Sequence, residues 1–211
     1  MLLFKSSFRS GIALGLLCCF PALPVFAQQQ KKKNTVIATA SFKETDRNGP
    51  IELDQMLHTI RANFKRINSM TKWTTVRNKA LDNSSEGGTA TFYYQQKRLE
   101  KIITRAFGEM TQNLTEYYFL NGEISFVLER TYQYNRPYYY DVAAMKANND
   151  TAAFDFNQSE IEETRSYFEQ KKLIYQLNNQ DCGAPFASDY LDEERIRIES
   201  DIKTLLKYVP Q

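Results

Sequence analysis

Two carboxylates come first among the side chains with the types and spacing for chemistry. Glu100 and Glu116 fall on neighbouring predicted strands, on one face, among tyrosines. Paired carboxyl groups flanked by rings are what a glycoside hydrolase places around a glycosidic bond, and they are equally what a solvated sheet face looks like. His58 is the only histidine, so a metal site of several histidines is excluded and a Ser-His-Asp triad would need this one residue. It falls off the apolar stripe of its predicted helix and is expected in water. Cys182, in Asp181-Cys182-Gly183, has no motif around it that supplies a base or a lowered pKa. The chain has no G-x-S-x-G, no phosphate-cradling glycine loop and no dinucleotide fingerprint. Asp189, Asp192, Glu193 and Glu194 lack the alternation of a calcium loop and read as a helix start favoured by the dipole. No metal and no cofactor are expected.

Tyrosine is the compositional outlier, with 11 of its 13 copies between positions 93 and 175. Its ring can pack on a sugar or a peptide while the hydroxyl stays wet. Tyr93, Tyr118 and Tyr167 each precede an aromatic or turn-flanking partner (Tyr94, Phe119, Phe168) and are expected to form an exposed row. Arg165, Glu100 and Glu116 would add polar contacts to that row, and Tyr138-Tyr139-Tyr140 would form part of a flap over it. Strand propensity alone also brings tyrosines together, so a structural role for the same rings stands beside the binding one.

Three related stretches must position these residues. In each, an aromatic pair is followed by four turn-like residues and an aliphatic one: Tyr93-Tyr94 to Leu99, Tyr118-Phe119 to Ile124, Tyr167-Phe168 to Leu173. Four-residue loops around type I turns are expected to close three hairpins, at 89–105, 114–131 and 161–178. Asn121-Gly122 is the strongest turn signal, because both residues tolerate positive φ. Alternation then places Tyr94, Leu99, Phe119, Ile124, Phe168 and Leu173 on the core side. Two residues further out it pairs Phe92 with Lys101, Tyr117 with Phe126 and Ser166 with Tyr175, Lys101 being the misfit. Tyr93, Tyr118, Tyr167 and the carboxylates fall on the opposite, solvated face.

The remaining elements frame these hairpins. Thr35–Phe42 alternates like a strand, and Leu53, Met56, Leu57, Ile60, Phe64 and Ile67 form one helical stripe over 51–68. Lys72–Ala80 reads as extended, and 132–158 is a long insertion of the sort that often carries function. Ser188 is a candidate cap for a closing helix carrying Leu191, Ile198, Ile202, Leu205 and Val209, with Ile196 off the stripe. The expected architecture is α+β: an antiparallel meander of six to eight strands with both helices packed on one face.

The chain of 211 residues begins with Lys5 and Arg9, an apolar run and Val25-Phe26-Ala27, the pattern of a secretory signal peptide cut after Ala27. Gln28–Asn34 reads as a polar linker and 35–211 as one domain. Cleavage removes two of the 27 basic residues and leaves 25 against 25 acidic ones. Such a body lacks the positive field of a nucleic-acid binder. No segment after the signal is apolar for long enough to span a membrane.

Tyr117-Tyr118-Phe119-Leu120-Asn121-Gly122-Glu123-Ile124, with its relatives at 93–99 and 167–173, resembles the Y-x-N-G-K-L repeat of exported Bacteroidota-type proteins with MORN-like or beta-lactamase-inhibitor-like sheets. The resemblance covers roughly 90–180 and implies an antiparallel sheet and a protein- or envelope-binding role. The leading expectation is therefore an exported, periplasmic or secreted, non-catalytic binding or inhibitory module for an envelope protein or glycan. A small glycan hydrolase using Glu100 and Glu116, and a structural envelope component, are the alternatives.

Overall fold

The computed structural model describes residues 51–82, 84–180 and 186–209. The expected signal peptide, linker and Thr35–Phe42 strand, together with Cys182, fall outside these residues. Seven strands form one antiparallel sheet in sequence order: β1 (Thr75–Leu81), β2 (Gly88–Gln95), β3 (Arg98–Phe107), β4 (Thr111–Leu120), β5 (Glu123–Gln133), β6 (Glu160–Glu169) and β7 (Lys172–Asn178). Helix α1 (Ile51–Asn68) precedes the sheet, a short α2 (Val142–Ala147) lies in the insertion, and α3 (Ser188–Leu206) closes the chain. The fold is the α+β meander expected from the sequence.

The three hairpins form where expected, but by a tighter route. Tyr94 pairs with Leu99, Phe119 with Ile124 and Phe168 with Leu173. Each turn has only two residues outside the ladder, and both have positive φ: Gln96 and Lys97, Asn121 and Gly122, Gln170 and Lys171. That is the type I′ geometry whose twist matches the flanking strands, in place of the four-residue loops expected. Two of the three turns hold it without glycine, so side chains sit in a region that costs an L-residue about 1–2 kcal/mol.

Two paired residues after each turn, the return strand carries an extra residue. The register passes from Tyr94↔Leu99 to Tyr93↔Lys101, from Phe119↔Ile124 to Tyr118↔Phe126, and from Phe168↔Leu173 to Tyr167↔Tyr175. Glu100, Ser125 and Ile174 are the bulged residues. A single insertion reverses every later side chain on that strand. Lys101 therefore leaves the face it did not suit, and Phe92, Tyr117 and Ser166 oppose Ile102, Val127 and Gln176 instead of Lys101, Phe126 and Tyr175.

The reversal makes both faces apolar. On one, Phe92, Ile102, Tyr117, Phe119, Val127, Phe168 and Leu173 pack with Ile198, Ile202 and Leu205 of α3. On the other, Tyr118, Phe126, Leu128, Tyr167 and Leu177 pack with Leu57, Ile60 and Ile67 of α1. The two long helices, expected on one face, thus take one face each. Ile196 is exposed, as its position off the α3 stripe implies. Ser188 is the first residue of α3 rather than its cap, which is Ala187 and makes no side-chain bond.

Polar contacts fix α1 against the bulges. Asn63 donates to the Phe119 carbonyl at 3.0 Å and to Ser125 Oγ at 3.2 Å, while Ser125 Oγ donates to the Tyr118 carbonyl at 3.0 Å. Arg66 donates to Asn63 Oδ1 at 2.8 Å and to Glu100 at 2.6 Å. Buried carbonyls left unmatched would cost about 1–3 kcal/mol each, so the helix seats where the ladder is broken.

Lys97, at φ 69°, provides a test of the turn geometry. Lys97→Gly should stabilise the protein by about 1 kcal/mol in urea unfolding, less the extra freedom of the unfolded chain. A loss of stability would contradict a strained left-handed turn there.

Candidate functional site

Tyr93, Tyr118 and Tyr167 do share one row across the sheet, running Tyr93–Lys101–Tyr118–Phe126–Tyr167–Tyr175. The row is covered rather than open. Tyr118 is 1% exposed and Tyr167 2%, beneath α1, whose Phe64 ring lies 4.8 Å from Tyr118 and 5.3 Å from Phe126. Burial, with Glu116 beside it, pushes the Tyr118 phenol well above its ordinary value. Tyr93 is half-buried, 5.2 Å from Trp73. The expected solvated tyrosine surface is therefore a core, because the bulges supply it with apolar neighbours from β5 and β7.

The carboxylates of that face are each held by cations. Buried Glu100 accepts from Arg66 at 2.6 Å and lies 3.2 Å from Arg98. Glu116 accepts from the Tyr118 hydroxyl at 2.6 Å, with Lys101 at 3.5 Å and Arg130 at 3.9 Å. They belong to separate ion-pair sets rather than to one opening. Glu163 and Arg130 are not among the residues singled out in the sequence. Glu163 is 1% exposed, with Arg130 at 2.7 Å and Arg165 at 2.6 Å. The available signal was Glu163 two residues from Arg165 on one strand, which puts both on one face.

The insertion is built, not loose. The Tyr134 amide donates to the Met110 carbonyl at 2.8 Å and the Tyr138 amide to the Glu109 carbonyl at 3.0 Å, tying its start to the β3–β4 turn. Asn135 bridges to its far side, donating to the Ala153 carbonyl and accepting from the Asp155 amide, both at 3.0 Å. Phe154, Phe156 and Ile161 pack on Leu114, Tyr132 and Tyr134. Arg136 pairs with Asp150 at 2.8 Å and holds that carboxyl below its ordinary value. The Tyr140 hydroxyl donates to Asp150 at 3.4 Å, so this ring serves the loop's interior.

Tyr138 and Tyr139 face outward, 48% and 59% exposed, with ring centroids 5.5 Å apart at 81°. Their hydroxyls donate to Glu86 and Glu109 respectively, from the β1–β2 loop and the β3–β4 turn. These carboxylate acceptors push both phenols above their ordinary value. The result is two fixed rings with a carboxylate behind each. Of the residues singled out in the sequence, only these two combine exposure, fixation and an adjacent charge. His58 is exposed on α1, and no group of three or more His, Cys, Asp or Glu among the described residues is placed to hold a metal ion. No helix among the described residues is long and apolar enough to cross a membrane.

The fold and site define an antiparallel meander with a helix on each face and an aromatic pair on an ordered insertion. No family model, no curated protein and no solved structure matches this chain.

Glu163→Gln would leave Arg130 and Arg165 against a neutral amide. Chemical denaturation should show a loss of about 3 kcal/mol, the low end for a broken buried pair because both guanidiniums keep some water. A change below about 0.5 kcal/mol, the range of ordinary surface substitutions, would contradict a structural role for this pair.

Proposed function

We propose that this chain is an exported, non-catalytic binding module that recognises a basic protein segment through Tyr138 and Tyr139. The observation that carries the reading is the fixed, exposed ring pair with Glu86 and Glu109 at its back. Tyrosine is favoured in contact surfaces because it brings a large amphipathic area with little side-chain freedom to lose. Here that freedom is already restricted by the hydroxyl bonds and the edge-to-face contact. A lysine or arginine laid over either ring gains a cation–π contact, about 0.5–1 kcal/mol at an exposed site, and meets a carboxylate beyond it. The basic start, apolar run and Val25-Phe26-Ala27 support export, and the likeness to exported hairpin-repeat proteins supports a binding role.

The hydrolase reading has less to stand on. Glu100 and Glu116 already balance Arg66, Arg98, Lys101 and Arg130, and Glu100 is buried. A purely structural role predicts no selective partner.

The full chain and its Tyr138→Ala/Tyr139→Ala variant can be compared on arrays of lysine- and arginine-bearing peptides, each paired with its glutamine-substituted counterpart. The wild type should prefer the cationic members. The variant should lose about 2 kcal/mol or more, roughly thirty-fold in affinity. Equal binding by both chains, or no preference for cationic peptides, would overturn the proposal.

A further inference from the structure

On the α3 side of the sheet lies a cleft of about 780 Å³, whose lining includes neither tyrosine of the pair nor Glu86 or Glu109. Its shape follows from side-chain size. α3 rests on the bulky row Phe92, Ile102 and Tyr117 through Ile198, Ile202 and Leu205. The next cross-strand row on that face is Ala90, Thr104, Thr115 and Glu129, and the one beyond it Ala106, Asn113 and Thr131. Apart from Glu129, whose carboxylate reaches Arg197, these side chains are short and leave a hollow that the helix spans without filling. Its volume falls within the roughly 300–1,000 Å³ of small-molecule sites.

The lining can both give and take hydrogen bonds. The hydroxyls of Thr104, Thr115 and Thr131 and the amide of Asn113 each donate and accept. Glu129 and Asp201 accept, both anchored by Arg197, at 2.8 and 3.3 Å. Burial raises the Asp201 carboxyl above its ordinary value, as a partly enclosed site requires. Lys79 lies 5.3 Å from the Tyr208 ring centroid and holds that exposed ring at the mouth. Asp82, Glu129 and Asp201 stand against Lys79, Arg197 and Arg130, whose guanidinium is held by Glu116 and Glu163, so the lining carries no net positive charge to draw an anion. A ligand dense in hydroxyls, uncharged, and with one flat apolar side to set on a ring suits this lining.

We propose that the cleft between α3 and β1–β5 binds a neutral oligosaccharide, its hydroxyls exchanging bonds with Thr104, Thr115, Thr131 and Asn113 and one sugar ring lying at Tyr208. No turnover is implied, since Arg197 holds Glu129 and Asp201, the carboxylates that face α3 across the cleft.

The test starts with the full chain on an array of neutral and anionic glycans, followed by calorimetry with the tightest-binding neutral oligosaccharide. Thr115→Val/Thr131→Val keeps β-branched shape in the strands and removes two hydroxyls. Asn113→Ala and Tyr208→Ala, both at exposed positions, guard against a folding effect. Each variant should bind at least ten-fold more weakly, Asn113→Ala and Tyr208→Ala with an unchanged melting temperature, while Tyr138→Ala/Tyr139→Ala binds the glycan like wild type. Retention of no neutral glycan, a preference for anionic ones, or equal affinity in wild type and all three cleft variants would overturn the proposal without touching the peptide-binding one.

Discussion

A two-residue turn followed by one supernumerary residue is the constraint on which this molecule is built. The type I′ turns fix which residues meet beside each bend, and the bulges at Glu100, Ser125 and Ile174 reverse the return strands beyond it. Without the bulges, Phe126, Leu128, Tyr175 and Leu177 would join the α3 side, and the other face would keep charges and tyrosines fit for water. With them, neither face can stay in water. The sheet needs two covers, and the chain supplies α1 for one and α3 for the other.

The same break in the ladder gives α1 its register. A bulge leaves backbone groups unmatched, and Asn63 and Ser125 satisfy those of the middle hairpin, while Arg66 neutralises the bulged Glu100 of the first. Beyond the helix, Lys101, Glu116, Arg130, Glu163 and Arg165 continue as alternating charges across the sheet. Side chains with the look of a site are thereby committed to structure. What stays available lies elsewhere: the ring pair on the insertion, and the hollow that small residues leave under α3.

Much of the architecture was legible because it rests on periodicity. Leu57, Ile60, Phe64 and Ile67 mark α1, the Ile198–Ile202–Leu205 stripe marks α3, and the aromatic-to-aliphatic spacing marks the hairpin pairings. The bulges were not legible, since an extra residue leaves no compositional trace when its place is taken in turn by Glu, Ser and Ile. The turns hid for a related reason: Gln96-Lys97 and Gln170-Lys171 adopt positive φ without the glycine that normally announces it. Lys101, stranded on an apolar face by strict alternation, was the one sign that parity had slipped. The tyrosine row misled because propensity and cross-strand pairing gather such rings whether or not they meet a ligand. For Tyr138 and Tyr139 composition marked the rings alone, and Glu86 and Glu109, which fix them, reach them only through the folded chain.

The adjacent pair Tyr118 and Phe119 tests the two-cover arrangement most directly. One ring belongs beneath α1 and the other faces α3. Urea unfolding of Tyr118→Ala and of Phe119→Ala should show losses of similar size, about 3–5 kcal/mol each. A loss near zero for Tyr118→Ala beside a full loss for Phe119→Ala would mean that the α1 side lies open to water, and would contradict the account.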